Sequence, residues 1–305
     1  MAVISSPTFD PKTTATNLAN NYVAPTKAIL DAQGAKAKAT SGALTTLGSA
    51  LSAFQGALAG LTTGTKTVSA NSATISNTAI ATASANSKAV AGTYSFYVEQ
   101  LATAGQVSYN VADSTATNVQ TFLTAYNTLL GVMNTLTAAD PDAGTAAALH
   151  GDAGLATLRD RLGSALRAVT GGQSLINFGI TAGRDGMLTL DTARLNKTVA
   201  ANPAALDSLF GQAGIGGAAG TGALGAMNKL VAGWTNSASG YIGARQQVAT
   251  KQQSDVTDRL ATLENQFNNA YQRYLAQFTA LQTLQGSMTS TSNMFTAMFS
   301  SDSNN

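Results

Sequence analysis

One histidine, His150, and no cysteine are all that this 305-residue sequence offers for nitrogen and sulfur chemistry. A metal centre built from His and Cys needs three or four such ligands, and a cysteine nucleophile or a disulfide needs a thiol. The residue types therefore point to no cofactor and no metal. His150 lies between Leu149 and Gly151-Asp152 and reads as a surface or packing residue in a loop. Paired carboxylates are scarce. Asp140 and Asp142 flank Pro141, where Asp serves a turn through local hydrogen bonds. Asp255 and Asp258 stand three apart with Lys251 and Arg259 nearby, the pattern of a solvated helix face. The run Gly214-Ile215-Gly216-Gly217-Ala218-Ala219 matches G-x-G-x-x-A in letters only. It follows a helical stretch ending at Phe210, and no acid lies about twenty residues on. Gly64-Thr65-Lys66-Thr67 lacks the spacing of a phosphate loop. No constellation here suits an acid/base or nucleophilic enzyme.

The rest of the composition points the same way. Hydrophobic residues make up 44% of the chain and charged residues only 10%, against roughly 25% charged in ordinary globular domains. Solubility rests on Ser, Thr, Asn and Gln, a profile closer to secreted fibre and assembly proteins than to cytosolic enzymes. Net charge is +2 and the basic residues are scattered, so no nucleic-acid partner is expected. No run approaches the roughly 18 apolar residues that span a bilayer, and no membrane insertion is expected. Met1–Asn21 is polar, without the basic and apolar regions of a cleaved secretory signal. An exported chain would need another route, and the lack of thiols would suit passage in an unfolded state.

Two apolar stripes dominate the element pattern. Leu44, Leu47, Leu51, Phe54, Leu58 and Leu61 recur at alternate steps of three and four, an a/d heptad seam. The register reaches back weakly through Ala37 and Leu30. Near the other end Leu260, Leu263, Phe267, Ala270, Tyr274, Leu281 and Met288 keep a comparable register, with Phe278 and Leu284 alongside. Helices this poor in charge pairs need a packed partner, so each stripe is expected to cover the other. Residues 1–25 carry Pro7, Pro11 and Pro25 and are expected to be flexible, or ordered only on assembly.

Between the stripes the pattern is mixed. Short strands are predicted at Thr67–Ala70, Ile80–Ala83 and Thr93–Val98, with the clearest alternation in Tyr94, Phe96 and Val98. Helices are predicted over 117–137 and from Ala153 to about Thr170. A hairpin follows, Ile176–Ile180 with Met187–Leu190 around Arg184-Asp185-Gly186, since Asp-Gly is a strong turn signal. A helix from Thr192 to Phe210, broken near Pro203, and a Gly-rich loop over 211–225 complete the reading.

In that order the elements resemble the flagellar filament-capping family, also called hook-associated protein 2. The residues that carry the resemblance begin with Ile4-Ser5-Ser6-Pro7, Asp10 and Tyr22-Val23-Ala24-Pro25. They continue in Ala91-Gly92-Thr93-Tyr94-Ser95-Phe96-Tyr97-Val98-Glu99-Gln100-Leu101-Ala102 and Val119-Gln120-Thr121-Phe122-Leu123-Thr124-Ala125-Tyr126-Asn127. Gly179-Ile180-Thr181, Arg184-Asp185-Gly186-Met187-Leu188-Thr189-Leu190-Asp191, Asn202-Pro203 and Leu209-Phe210 follow. Arg273-Tyr274-Leu275-Ala276-Gln277-Phe278-Thr279-Ala280-Leu281 is the most specific stretch. Family members usually carry a large insertion between the strand run and the following helix; here only Ala102–Thr117 fills the gap.

The resemblance implies an α+β protein whose terminal helices pair in a coiled-coil stalk, with a mixed head of helices and small antiparallel sheets. The expected division is 1–42 with 270–305 for the stalk and 43–269 for the head, with the short junction at 102–117. Expected assembly residues are Leu44, Leu47, Leu51, Phe54, Leu58, Leu61, Leu263, Phe267, Tyr274, Phe278 and Leu281. Implied partners are further copies of the chain in a ring (a pentamer in the best-known members), flagellin, the hook–filament junction protein, and an export chaperone at the C-terminal helix. The implied location is the filament tip, reached through the flagellar type III pathway. A hook–filament junction subunit and a surface adhesin are the alternatives.

Overall fold

The computed structural model describes residues 10–62, 67–69, 72–79, 81–83, 85, 89–90, 92–98, 105–112, 114–140, 145–168, 173–214 and 220–301. The fold is mixed α+β. Two compact units emerge: 1–39 with 248–305, and 40–247. The boundaries lie at 39/40 and 247/248, the second well before the expected 269/270.

Two long helices contribute to both units, α1 (Pro11–Thr62) and α7 (Tyr241–Ser301). The expectation of a flexible early arm fails from Asp10 onward. The Thr13 N–H donates to Asp10 Oδ2 at 2.9 Å, a side-chain cap for the helix start. Pro11 takes the first helical position, where its missing N–H costs nothing. Pro25 does stand inside α1, but on the exposed side, where water can reach the carbonyl freed one turn earlier. Pro7 lies outside the described residues.

In the terminal unit Val23 and Leu30 of α1 pack with Val256 and Leu263 of α7, and Leu260 and Phe267 lean on them. Small residues hold the remaining inner positions: Ala15, Ala19 and Ala270 are almost fully buried. A Cβ added at Gly34 would lie 3.4 Å from Val256.

The larger unit has a thick core. Leu44, Leu47, Leu51, Phe54, Leu58 and Leu61 join residues of α2 (Thr115–Thr137), α3 (Ala153–Arg167), α5 (Pro203–Phe210) and α6 (Gly222–Thr235). Phe122 stands edge-on to Phe210 with ring centres 5.3 Å apart, and 6.4 Å from Phe54. The first stripe is therefore covered within this unit, whereas Val23 and Leu30 lie in the cluster of Leu263.

Three strands form one antiparallel sheet in the order β1–β3–β2: β1 (Ser72–Ile75), β2 (Gly92–Val98) and β3 (Gly105–Ala112). The predicted Thr93–Val98 strand is β2. The central β3 falls inside the 102–117 junction, where no strand was expected. The predicted Thr67–Ala70 strand is absent at its described residues. Ser69 N–H donates to Asp207 Oδ1 at 3.0 Å, and the Val68 carbonyl accepts from Asn118, so side chains take the groups a strand ladder would use. Ala81–Ala83 is irregular; Ala70 and Ile80 lie outside the described residues. Two short ribbons pair β4 (Ala139–Asp140) with β5 (Thr145–Ala146), and β6 (Ile180–Ala182) with β7 (Leu188–Leu190).

Elsewhere the reading shifts by a few residues. The 3-10 turn Leu175–Phe178 replaces the first half of the expected hairpin strand, and Gly179 closes it at φ +77°. The helix predicted over 192–210 with a break near Pro203 divides there into α4 (Thr192–Ala201) and α5, separated at Asn202, whose side chain caps the second. Helix α3 stops at Arg167; Val169 and Thr170 lie outside the described residues. The expected 211–225 loop holds at Gly211–Gly214 and again at Gly220–Thr221, but Gly222 already opens α6.

Candidate assembly surfaces

The described residues offer little chemistry. Among the described residues no group of three His, Cys, Asp or Glu could hold a metal, and no helix there is long and apolar enough to cross a membrane. His150 is exposed, with Nδ1 2.9 Å from the Thr137 carbonyl oxygen. The side chains of Asp140 and Asp142 lie outside the described residues. Lys251 pairs with Asp255 at 3.2 Å on the surface of α7. The phosphate-loop-like runs at 64–66 and 215–219 also fall outside the described residues.

Of the eleven expected assembly residues, the six on α1 are 0–6% exposed in the larger unit. Their side chains are filled around from within the fold, so they present no surface. The five on α7 form a gradient instead. Leu263 is buried in the terminal unit, Phe267, Tyr274 and Phe278 are half-buried, and Leu281 is exposed. Phe267 stacks on Tyr271 with centres 6.3 Å apart, and Arg273 lies over the Tyr274 ring at 5.3 Å.

Beyond that gradient the seam continues in the open. Leu284, Met288 and Phe295 are 57%, 65% and 55% exposed. With Leu281 and Thr291 they keep the alternate steps of three and four that begin at Val256. From Tyr274 to Ser301 the helix has no charged residue, and beside the seam stand mostly Ser, Thr, Gln, Asn and Ala, with Met294 and Met298 also exposed. An apolar stripe on an uncharged helix is stable in water only when something covers it. Helix α1 carries a second exposed line, Leu18, Tyr22 and Ile29, beside its buried Ala15, Ala19, Val23 and Leu30. Sequence periodicity found the α7 seam but missed this outer line on α1, because Pro25 interrupts it.

A family model described as the flagellar hook-associated protein 2 N-terminus matches residues 8–105, and one described as its C-terminus matches 86–290. The two overlap over residues 86–105, which include strand β2 and the first residues of the short junction. The lateral flagellar hook-associated protein 2 of Vibrio parahaemolyticus is 29% identical over 60% of this chain and 40% of its own length. The polar protein of the same organism is 27% identical over 57% of this chain and 26% of its own. Flagellar hook-associated protein 2 of Escherichia coli K12 is 28% identical over 62% and 42%. A crystal structure of the D1–D2–D3 domains of the E. coli flagellar cap protein aligns with 48% of this chain and 40% of that one, at 25% identity and a TM-score of 0.37. The chain thus spans less than half the length of these curated relatives. With family models covering almost all of it from residue 8 to residue 290, this chain belongs to the flagellar hook-associated protein 2 family.

Proposed function

We propose that the protein caps the distal end of the bacterial flagellar filament, where it promotes folding and insertion of flagellin during growth. The observation that carries this reading is the α7 stripe. It supports an assembly protein, because Leu281, Leu284, Met288 and Phe295 have no described cover and no charge nearby to keep a partner away. Heptad spacing of the buried residues on α1 and α7 favours a coiled-coil stalk at the chain ends. Several copies would close into a ring, since a cap needs a rotational axis and repeated identical contacts; a pentamer is the stoichiometry proposed. Flagellin and the hook–filament junction protein are the other filament partners. During export through the flagellar type III pathway a chaperone would shield the same C-terminal stripe. The work is steric, with no bond chemistry.

Deleting the gene in a motile cell tests the reading. The expected result is flagellin shed into the medium and missing filaments. Normal filaments in the deletion strain would overturn it. A sharper arm is Met288→Asp in the full chain, at a residue outside the described packing. The purified parent is expected to form rings in electron micrographs and the variant to form none, with the helical circular dichroism signal unchanged.

A further inference from the structure

A cleft of about 760 Å³ opens in the larger unit between α2, α3 and the β6–β7 hairpin. Its walls are apolar, supplied by Leu130, Leu166, Leu175, Ile180 and Leu188. Three guanidinium groups line it, those of Arg159, Arg167 and Arg184, against one carboxylate, Asp160. None of these arginines is in an ion pair among the described residues. Arg159 reaches the Asp185 carbonyl and Arg167 the Ser164 hydroxyl, each at a long 3.4 Å, which leaves most of their N–H groups unused. Gly163 makes room for one of them: a Cβ there would lie 3.2 Å from Arg167 Nη1. A glycine in mid-helix costs about 1 kcal/mol against alanine, and here its bare backbone lets the guanidinium fold over the cleft.

Tyr126 lines the same cleft. It is only 4% exposed, and its hydroxyl has no hydrogen-bond partner among the described residues. No buried side-chain polar atom among them lacks a partner, so this hydroxyl is not sealed in the core and its small exposure lies at the cleft wall. Burial raises the phenol's pKa, against the opposite pull of Arg159 and Arg167. The phenol therefore keeps its proton at neutral pH and remains a donor.

Cationic forks, one phenolic donor and aliphatic walls are complementary to a negative, acceptor-only group attached to something apolar. We propose that this cleft binds a peptide segment of a partner protein in which a carboxylate adjoins aliphatic side chains. Arg159 and Arg167 take the carboxylate, Tyr126 donates its O–H to it, and the leucine and isoleucine walls take the neighbouring side chain. A free phosphate satisfies the cations but leaves those walls wet. The inference stands on the cleft alone and does not depend on the cap reading.

The test is fluorescence polarisation with the full chain and a fluorescein-labelled, amidated hexapeptide carrying one glutamate between leucines. Binding should saturate, and replacing the glutamate by glutamine should weaken it by about tenfold, the worth of one charge-assisted hydrogen bond. Tyr126→Phe keeps the ring and its packing, and should weaken binding roughly five- to tenfold at an unchanged unfolding midpoint. Arg167→Gln should weaken it by about tenfold, whereas Arg161→Gln, on the other side of α3, should not. The proposal is overturned if no saturable binding occurs, or if the glutamine peptide binds as well. It is equally overturned if Tyr126→Phe behaves like the parent, or if Arg161→Gln weakens binding as much as Arg167→Gln.

Discussion

At the first turn of α3 the Asp152 carboxylate accepts the Leu155 N–H at 2.8 Å. It also meets both terminal nitrogens of Arg245, at 2.7 and 3.1 Å. Arg245 in turn lies over the Trp234 ring at 5.3 Å. One acid therefore caps a helix and fixes the start of α7 to α6 and α3. Burial raises the Asp152 pKa, but the backbone bond to Leu155 and the bond and charge of Arg245 outweigh it, and the carboxyl is held below its ordinary value. A depressed carboxylate adds stability above the unfolded pKa of about 4, and the gain disappears as pH falls through the folded value. Asp152→Ala should cost about 1–2 kcal/mol in urea denaturation at pH 7, mostly the lost cap. The gap between parent and variant should narrow below about pH 4; a gap that widens in acid would contradict the assignment. The sequence placed Asp152 only beside a loop histidine. Its partner is 93 residues away, and no local spacing announces such a pair.

Elements show why some of the fold was legible and some was not. Helix α2 was found almost to the residue because Val119, Phe122, Tyr126, Leu129 and Met133 repeat at helical spacing and all are buried. Heptad spacing also identified the inner faces of α1 and α7, but periodicity specifies a face and not what covers it. That is how Leu44–Leu61 were expected to meet α7 along their length, when α2, α3, α5 and α6 supply most of their cluster and α7 adds only Ile242. Helix α6 was lost in a glycine-rich run, although Leu224, Met227, Val231 and Trp234 are buried at steps of three and four. Gly225 explains the composition: a Cβ there would collide with the Gly220 carbonyl carbon, so the chain crosses where a side chain does not fit. Strand β3 was missed although Val107, Tyr109 and Val111 alternate. Proline reasoning erred in the other direction, since Pro11 starts α1 and Pro25 is tolerated within it. The tolerance has a measurable cost. Pro25→Ala restores a donor and removes a ring clash, and should stabilise the terminal unit by roughly 1–3 kcal/mol. A higher helical signal and a higher midpoint would register it; a lower midpoint would mean that the proline is needed where it is.

For the whole molecule the decisive contrast is between the two units' cores. Thirty-four buried residues form the main cluster of the larger unit, whereas the terminal unit's cluster has four, Val23, Leu30, Val256 and Leu263, among the described residues. Each large side chain contributes roughly 1.5–3 kcal/mol when fully buried, and ordering either unit costs entropy in proportion to its length. The terminal unit is therefore expected to open well below the global unfolding free energy. Amides in 11–39 and 248–301 should exchange with solvent faster than those in 44–61, although both sets lie in unbroken helix. Point variants should separate the units as well. Leu263→Ala should lower only the first thermal transition, and Phe122→Ala, costing about 3–5 kcal/mol in a packed core, should lower the second. A single transition that both variants shift equally would show that the two units unfold together.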